Sequence, residues 1–199
     1  ETILPEDQDP TLEALLSIAE RSTQRIQRLT NSLLDMRQLE AGQPIGNLQP
    51  TSPDQIIADA IETVLPAAQS KNQDIDLDIA PDLPDVLVDA DMIRRILINL
   101  MENAVKYTPA DSQISVAAYR SSDMIEMYVQ DDGPGIPPAD RERIFDKYTR
   151  LHSKSGPKGL GLGLSYCRLA VEKHGGGIRI EDAPDAGARF IFTLPIVDD

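Results

Sequence analysis

The stretch "ADMIRRILINLMENAVKY", residues 90–107, predicts a helix with one apolar side and one polar side. At about 100° per residue, the apolar side is formed by Ile93, Leu97, Leu100 and Ala104. Within an arc of about 140°, the opposite side carries Asn99, Glu102, Asn103, Lys106 and Tyr107. A solvated surface would show the same general pattern, but asparagine is a mediocre helix former and gains nothing there. A carboxylate, an amide oxygen and a lysine on successive turns suit Mg²⁺ and phosphates, so this side is a candidate site.

Glycines at alternate positions precede the last predicted helix, in the stretch "SKSGPKGLGLGLSYCRLAVEKHGG", residues 153–176. Gly159, Gly161 and Gly163 allow backbone conformations that side chains forbid, and they let a ligand approach the main chain. The start of a helix offers unpaired N–H groups and a partial positive charge, a combination that suits a phosphate. An ordinary turn would also explain the glycines if they stood alone.

A second candidate site follows a predicted strand, in the stretch "DDGPGIP", residues 131–137. Its two glycines and two prolines allow a turn whose backbone can come close to a flat ligand. Asp131, at the end of the strand, can accept a hydrogen bond from an amino group. A tight surface turn is the alternative explanation for this stretch taken alone.

The composition predicts one domain of ordinary size with a real core, since 41% of the 199 residues are hydrophobic. A formal charge of -14 argues against broad binding to nucleic acid or to anionic membranes, because both depend on excess Lys and Arg. The single cysteine, Cys167, excludes a disulfide framework and favours a small core residue in a reducing compartment. We find neither a run of about 18 apolar residues nor a signal peptide, so we expect this piece not to be embedded in a membrane, although a longer parent can be anchored.

The first forty residues predict one long helix, from Pro10 to Gly42. Its apolar seam at spacings of three and four is formed by Leu15, Ala19, Ile26, Leu29, Leu33 and Met36. A helix cannot bury such a stripe alone. The seam therefore predicts either packing in a helical bundle or an amphipathic helix lying on its own globular domain.

The rest of the chain interleaves helices with strand pairs. Further helices are predicted at 53–71, near 138–146 and after Gly163, with Ser52 and Asp89 as N-caps. Strands are predicted at 74–80, 85–88, 113–120, 124–131, 177–182 and 189–196. Antiparallel hairpins between helices favour an α+β sandwich over a doubly wound sheet.

Four motifs occur in a fixed order, "NLMENAVKYTP" (99–109), "DDGPGIP" (131–137), "RIFDKYTR" (143–150) and "GLGLGLS" (159–165). They resemble the N, G1, F and G2 boxes of the sensor histidine kinases of two-component systems. For residues 53–199 the resemblance implies the Bergerat ATP-binding fold, a mixed, largely antiparallel sheet covered by three helices. Residues 1–42, which end in "LLDMRQLEAG", resemble the later part of the dimerisation and phosphotransfer hairpin, and 43–52 form a linker.

The resemblance implies roles for individual residues in binding ATP and Mg²⁺. Asp131 would bind the adenine amino group, Asn103 would ligate Mg²⁺, and Glu102 would orient or deprotonate the attacking group. The other ATP-binding residues that it implies are Asn99, Lys106, Tyr107, Gly133, Gly135, Ile136, Tyr148, Arg150, Lys158, Gly159, Leu160, Gly161, Leu162, Gly163 and Leu164.

The glycines would hinge a lid whose backbone N–H groups meet the phosphates. Residues 141–158 carry six basic and two acidic side chains in an acidic chain, which agrees with phosphate binding, although a solvated loop is the plain alternative. Tyr148 stands where the F box usually has a second phenylalanine, and we expect it to pack in the same way.

The implied activity is that of an ATP-dependent protein histidine kinase, which phosphorylates a histidine on the first dimerisation helix. The implied partners are a response-regulator receiver domain and a second copy of the chain, joined through the N-terminal helices in the cytoplasm. His152 and His174 do not match the acceptor motif, so we expect the acceptor upstream of Glu1 and both histidines to be surface or capping residues. The alternatives are a degenerate nucleotide-sensing module and another ATPase of the superfamily, such as an anti-sigma serine kinase.

Overall fold

A computed structural model describes residues 44–151, 161–183 and 187–197, together with single positions between 15 and 41. Its elements are β1 (Gln49–Thr51), α1 (Pro53–Gln69), β2 (Asp74–Ile79), β3 (Val86–Val88), α2 (Ala90–Tyr107), β4 (Gln113–Ser121), β5 (Met124–Asp131), α3 (Gly163–Lys173), β6 (Ile178–Asp182) and β7 (Ala188–Pro195). Within these ranges, no helix has both the length and the apolar character needed to cross a membrane.

Five of the strands form one sheet in the order β2-β4-β5-β7-β6. β2 runs parallel to β4, whereas the β4-β5, β5-β7 and β6-β7 pairs are antiparallel. The two hairpins in this sheet, β4-β5 and β6-β7, were both predicted from alternating sequence. The structure therefore confirms the prediction of a mixed, largely antiparallel sheet.

The core lies between this sheet and the three helices. Along β5, burial alternates residue by residue: Ile125, Met127 and Val129 are buried and the residues between them are half-buried. This period of two is that of a strand with one face on a core. α2 packs on β5 and also on α1 and α3, so it lies at the centre of the helical layer. The two-layer sandwich is confirmed.

α2 has the faces and the start that its sequence predicts. Ile93, Leu97 and Leu100 are fully buried, and Ala104 is 1% exposed. Asp89 caps the helix, because its Oδ1 accepts a hydrogen bond from Met92 N at 3.2 Å. α1 begins at Pro53 as predicted, but the Ser52 side chain makes no capping hydrogen bond. Proline suits the first helical position, because the N–H that it lacks would have no partner within the helix.

Two segments contain structure that was not predicted. The segment near 138–146 is not one helix but two single 3-10 turns, Pro138–Asp140 and Arg143–Phe145. A nine-residue segment is too short to gain much from helical hydrogen bonds. The predicted linker 43–52 contains β1, which pairs antiparallel with β3. A three-residue strand with a proline in its centre shows no alternating pattern, so it could not be predicted from the sequence.

Every position that the structure describes before Ala41 is helical. Met36 and Leu39 are 3% and 6% exposed and belong to the same buried cluster as the core. Glu40 forms an ion pair with Lys147. In contrast, Leu15, Leu16, Leu33 and Leu34 are 59%, 55%, 40% and 54% exposed. Of the predicted apolar seam, Met36 is therefore buried, whereas Leu15, Ala19 and Leu33 are exposed. Its other two positions, Ile26 and Leu29, lie outside the described residues.

The structure tests the predictions made for two single side chains, Cys167 as a core residue and His174 as a surface or capping residue. Cys167 is fully buried, and burial raises the pKa of its thiol to about 12, which confirms a core residue. His174 is the C-cap of α3 but is buried rather than exposed. Its Nε2 accepts a hydrogen bond from Asp89 N at 3.1 Å, so Nδ1 carries the proton and donates to Ala170 O at 2.7 Å. His174 therefore joins the end of α3 to the start of α2.

We predict that the stability of the domain falls on acidification because of His174. Burial lowers the pKa of His174 below its ordinary 6.5, with the Ala170 hydrogen bond and the Asp89 charge opposing. On acidification, the unfolded chain therefore protonates its histidine before the folded chain protonates His174. The stability that neutral His174 contributes above pH 6.5 is lost as the pH falls below that value. Urea unfolding between about pH 7.5 and 5.5 measures this loss.

The two proteins compared both carry His152→Asn, so that His174 is the one histidine that remains to be replaced. His174→Asn in that background should flatten the dependence of the unfolding free energy on pH between about 7 and 5.5. Equal slopes in the two proteins would contradict this assignment.

Candidate functional site

Asp131 lies at the end of β5 and is 7% exposed. Its Oδ1 accepts hydrogen bonds from Gly133 N at 2.8 Å and from Ala188 N at 3.4 Å. Burial raises the pKa of this carboxyl group, and the two N–H groups oppose that shift. Both of these bonds go to Oδ1, and Oδ2 accepts no hydrogen bond from the described residues.

The turn after Asp131 is packed so closely that side chains do not fit. A Cβ at Gly133 would lie 2.6 Å from Asp131 Oδ1. Gly135 has a φ of +70°, and a Cβ there would lie 3.0 Å from Gly187 O. Ile136 follows and packs on the core. The backbone of this turn therefore lies close to the Asp131 carboxylate.

Gly187 is a site residue that the sequence analysis missed. It precedes β7, has a φ of +102°, and its Cβ would lie 1.8 Å from the carbonyl oxygen of Asp131. Ala188, the next residue, provides one of the two N–H groups that bind Asp131. The glycine in "DAGAR" was visible, but only the pairing of β5 with β7 places it against Asp131.

The polar side of α2 stands next to this turn. Glu102 is exposed, while Asn103, Lys106 and Tyr107 are partly buried. Lys106 Nζ donates to Tyr107 Oη at 3.0 Å and lies 4.6 Å from the centre of the tyrosine ring. A Cβ at Gly133 would lie 3.5 Å from the Tyr107 carbonyl oxygen. The N and G1 motifs therefore meet at the end of α2.

The F and G2 motifs join the site through backbone contacts. Tyr148 N donates to Gly161 O at 2.9 Å, and Gly161 has a φ of +71°. A Cβ at Gly161 would lie 2.8 Å from Thr149 O, so only glycine fits. At the start of α3, a Cβ at Gly163 would lie 3.3 Å from Asn99 Oδ1. The structure thus brings Asn99 to the helix that follows the glycines.

Some predicted site residues are placed differently from the expectation or lie outside the described range. Tyr148 does not pack like a second phenylalanine, because it is 66% exposed and has a φ of +63°. Leu162 is buried and Leu164 packs on the core, so only their backbones can face a ligand. Arg150 is exposed. The residues outside the described range are His152, Lys158, Gly159 and Leu160.

Arg168 of α3 is a further residue without a predicted role. Its Cζ lies 4.2 Å from the centre of the Phe145 ring, and its Nη2 forms an ion pair with Glu142 at 2.9 Å. Phe145 is 4% exposed. The aromatic residue of the F motif is therefore packed against the helix that follows the glycines.

Comparison with known proteins agrees with this arrangement. Residues 88–198 match the family described as "Histidine kinase-, DNA gyrase B-, and HSP90-like ATPase". The chain is 37% identical over 168 residues to the sensor protein KdpD of Escherichia coli, covering 84% of this chain and 18% of KdpD. It is 41% identical over 145 residues to the adaptive-response sensory kinase SasA of Synechocystis, covering 70% of this chain and 38% of SasA.

Solved structures show the same fold. The crystal structure of full-length ShkA in complex with AMPPNP matches with a TM-score of 0.82 and 25% identity, over 97% of this chain and 40% of that chain. The chain therefore belongs to the histidine kinase-, DNA gyrase B- and HSP90-like ATPases, and its relatives place it with the catalytic domains of sensor histidine kinases. It spans less than two fifths of the length of KdpD and of SasA.

We predict that Gly187→Ala disrupts the site and that Gly177→Ala does not. At Gly187 an added Cβ meets the Asp131 carbonyl and the φ is +102°, whereas nothing lies within 4 Å of a Cβ at Gly177. Gly187→Ala should lower the unfolding free energy by more than about 1 kcal/mol and weaken ATP binding, since the turn around Asp131 must shift. Urea unfolding and calorimetric titration with ATP measure both effects. Wild-type behaviour of Gly187→Ala would contradict this packing.

Proposed function

We propose that this chain is the ATP-binding catalytic part of a sensor histidine kinase, which transfers the γ-phosphoryl group of ATP to a histidine on the first dimerisation helix. The observation that carries the proposal is the meeting of all four motifs around Asp131 and the polar side of α2. The names of the relatives, the sensor protein KdpD and the adaptive-response sensory kinase SasA, support a sensor-kinase activity.

Adenine recognition would depend on Asp131. The exocyclic amino group of adenine is an N–H donor, and Oδ2 of Asp131 is the acceptor that the Gly133 and Ala188 bonds leave toward a ligand. The backbone of residues 133–136 would form one wall of the pocket. Lys106, Tyr107 and Arg150 would lie near ribose and phosphates. Backbone N–H groups of residues 159–164 would meet the phosphates at the start of α3.

Mg²⁺ fits the donors on the polar side of α2. The amide oxygen of Asn103 is a hard ligand, and Mg²⁺ commonly takes one or two protein ligands together with phosphates and water. Asn103 is partly buried, one residue after the exposed Glu102. When bound, Mg²⁺ would neutralise phosphate charge during transfer.

Glu102 would act on the attacking histidine. Its exposure leaves the carboxylate accessible to an imidazole that arrives from another helix. The imidazole nitrogen attacks the γ-phosphorus, the bond to the bridging oxygen of ADP breaks, and the proton of the imidazole passes to Glu102. Catalysis would consist mainly of positioning and charge neutralisation.

The whole protein would act as a homodimer in the cytoplasm, where ATP is available. Four leucines in the N-terminal helical part are exposed and would pack against helices of a second copy: Leu15, Leu16, Leu33 and Leu34. The phosphohistidine would then pass its phosphoryl group to an aspartate in a response-regulator receiver domain.

We predict that Asp131→Asn weakens ATP binding and that Asp132→Asn, at the exposed neighbouring position, does not. Asparagine can accept from Gly133 N–H through its oxygen, but it then turns an NH₂ donor toward the adenine amino group. The loss of one buried polar partner corresponds to about 1–3 kcal/mol, or about 5-fold to 150-fold in affinity. Calorimetry with ATP and ADP measures it. Undiminished binding by Asp131→Asn would remove Asp131 from the adenine site.

A second prediction separates chemistry from binding. Glu102→Ala should reduce transfer to a separately supplied acceptor helix by about 100-fold or more, while ATP affinity stays within about threefold, because Glu102 acts on the attacking group. Glu172→Ala changes an exposed glutamate on α3 and is the matched control. Radiolabelled ATP, each variant and an acceptor-helix segment of a related sensor kinase measure transfer.

Two outcomes would contradict the roles given above. Transfer at the wild-type rate by Glu102→Ala would remove the carboxylate from the reaction. Label on His152 or His174 in the wild-type chain would show that the acceptor was assigned wrongly.

A further inference from the structure

The C-terminal end of α2 is held by two side chains from the connection between α1 and β2. Lys71 Nζ donates to Val105 O at 2.6 Å and to Thr108 O at 3.1 Å. Gln73 Nε2 lies 3.4 Å from Val105 O, 3.1 Å from Thr108 O and 2.8 Å from Pro109 O. Both residues lie more than 30 positions before the carbonyls that they bind. The sequence analysis gave neither of them a role.

These contacts replace a local helix cap. The last carbonyl groups of a helix have no partner within the helix and carry a partial negative charge. α2 ends without a glycine, since its C-cap is Thr108 in an extended conformation, followed by Pro109. Thr108 donates to the carbonyl of Ala104 through both its N–H and its hydroxyl. The ammonium of Lys71 therefore meets the negative end of the helix directly.

The same helix end faces the nucleotide site. Lys106 and Tyr107, which the proposed function places near ribose and phosphates, belong to this last turn. On its other side, the Tyr107 carbonyl lies against Gly133, in the turn that holds Asp131. A shift in the last turn of α2 would therefore move two ligand-facing side chains and the wall of the adenine pocket together.

We propose that Lys71 and Gln73 are positioning residues for the nucleotide, which fix the last turn of α2 and through it Lys106, Tyr107 and the turn at Gly133. The inference rests on the proposed ATP site. It extends that site to two residues that do not touch the ligand and that come from a different part of the chain.

The hydrogen bonding of Gln73 supports positioning over simple stabilisation. Gln73 is 3% exposed, and its Oε1 is a buried acceptor with no hydrogen-bond partner among the described residues. Such an atom is unfavourable, because it has lost water without gaining a donor. The amide is thus oriented so that its NH₂ group donates to carbonyls at the end of α2 and just after it, while its own oxygen has no donor. Gln73→Met removes this unsatisfied acceptor but also removes the donor to Pro109 O, so the two effects on stability oppose each other.

The test uses Lys71→Met, Gln73→Met and the conservative Lys71→Arg, which retains a charged donor. Val64→Ala, at a buried position of α1, is the control for lost stability away from this contact. Urea unfolding identifies a temperature at which every variant is fully folded, and calorimetry then measures Mg-ATP affinity there.

We expect Lys71→Met and Gln73→Met each to weaken Mg-ATP binding by about threefold to tenfold, in line with losing hydrogen bonds that hold the site. Lys71→Arg should restore most of the affinity, and Val64→Ala should bind like wild type. Wild-type affinity in Lys71→Met and Gln73→Met would overturn the inference and leave the proposed function intact. If the wild-type chain itself binds no ATP, the proposed function fails, and this inference fails with it.

Discussion

The buried carboxylate of Asp131 is the constraint on which the site depends. A carboxylate at 7% exposure needs hydrogen-bond donors, and here two backbone N–H groups provide them. One donor comes from its own turn, at Gly133, and the other from the neighbouring strand, at Ala188. The end of β5 therefore cannot be changed independently of β7, since the same oxygen atom is bound from both sides.

The glycines around Asp131 follow from this arrangement. Gly133 permits its N–H to approach Oδ1, and Gly187 permits the strand that carries Ala188 to approach the Asp131 carbonyl. Gly135 in turn lies against Gly187. At Gly135, Gly187 and Gly161 backbone atoms occupy the space of a side chain and the φ angle is positive, whereas at Gly133 the Asp131 carboxylate occupies that space. Close backbone contact is thus the shared property of the motifs.

The parts of this site that could be predicted from the sequence are those determined by near neighbours. The two sides of α2 follow from helical spacing, and its start follows from Asp89, whose capping bond spans three residues. The β4-β5 hairpin follows from alternation and a short turn. Local pattern could not show that Gly187 lies against Asp131 or that His174 is buried against the start of α2. Both depend on residues that are distant in sequence and meet only when the sheet and helices are assembled.

The same distinction explains the errors at single residues. Tyr148 was expected to pack because its motif places an aromatic residue there, but its left-handed backbone at a φ of +63° directs the side chain into solvent. The packed aromatic residue of this motif is Phe145, which is covered by Arg168. A motif thus indicates which residue types occur together, while the backbone decides which of them is buried.

The two ends of α2 are both fixed from elsewhere in the chain. At its start, Asp89 N–H is bound by His174, and near its end Val105 O is bound by Lys71. Between these ties its apolar side is buried in the core. A helix held at both ends and along one side presents its polar side with little freedom, which would lower the cost of orienting a nucleotide and the proposed metal ion. In contrast, the loop that carries Gly161 joins this framework through a single backbone hydrogen bond to Tyr148 among the described residues, together with close packing. The site therefore combines a rigid half, which would recognise the base, with a half whose contacts are made by the main chain and are suited to phosphates.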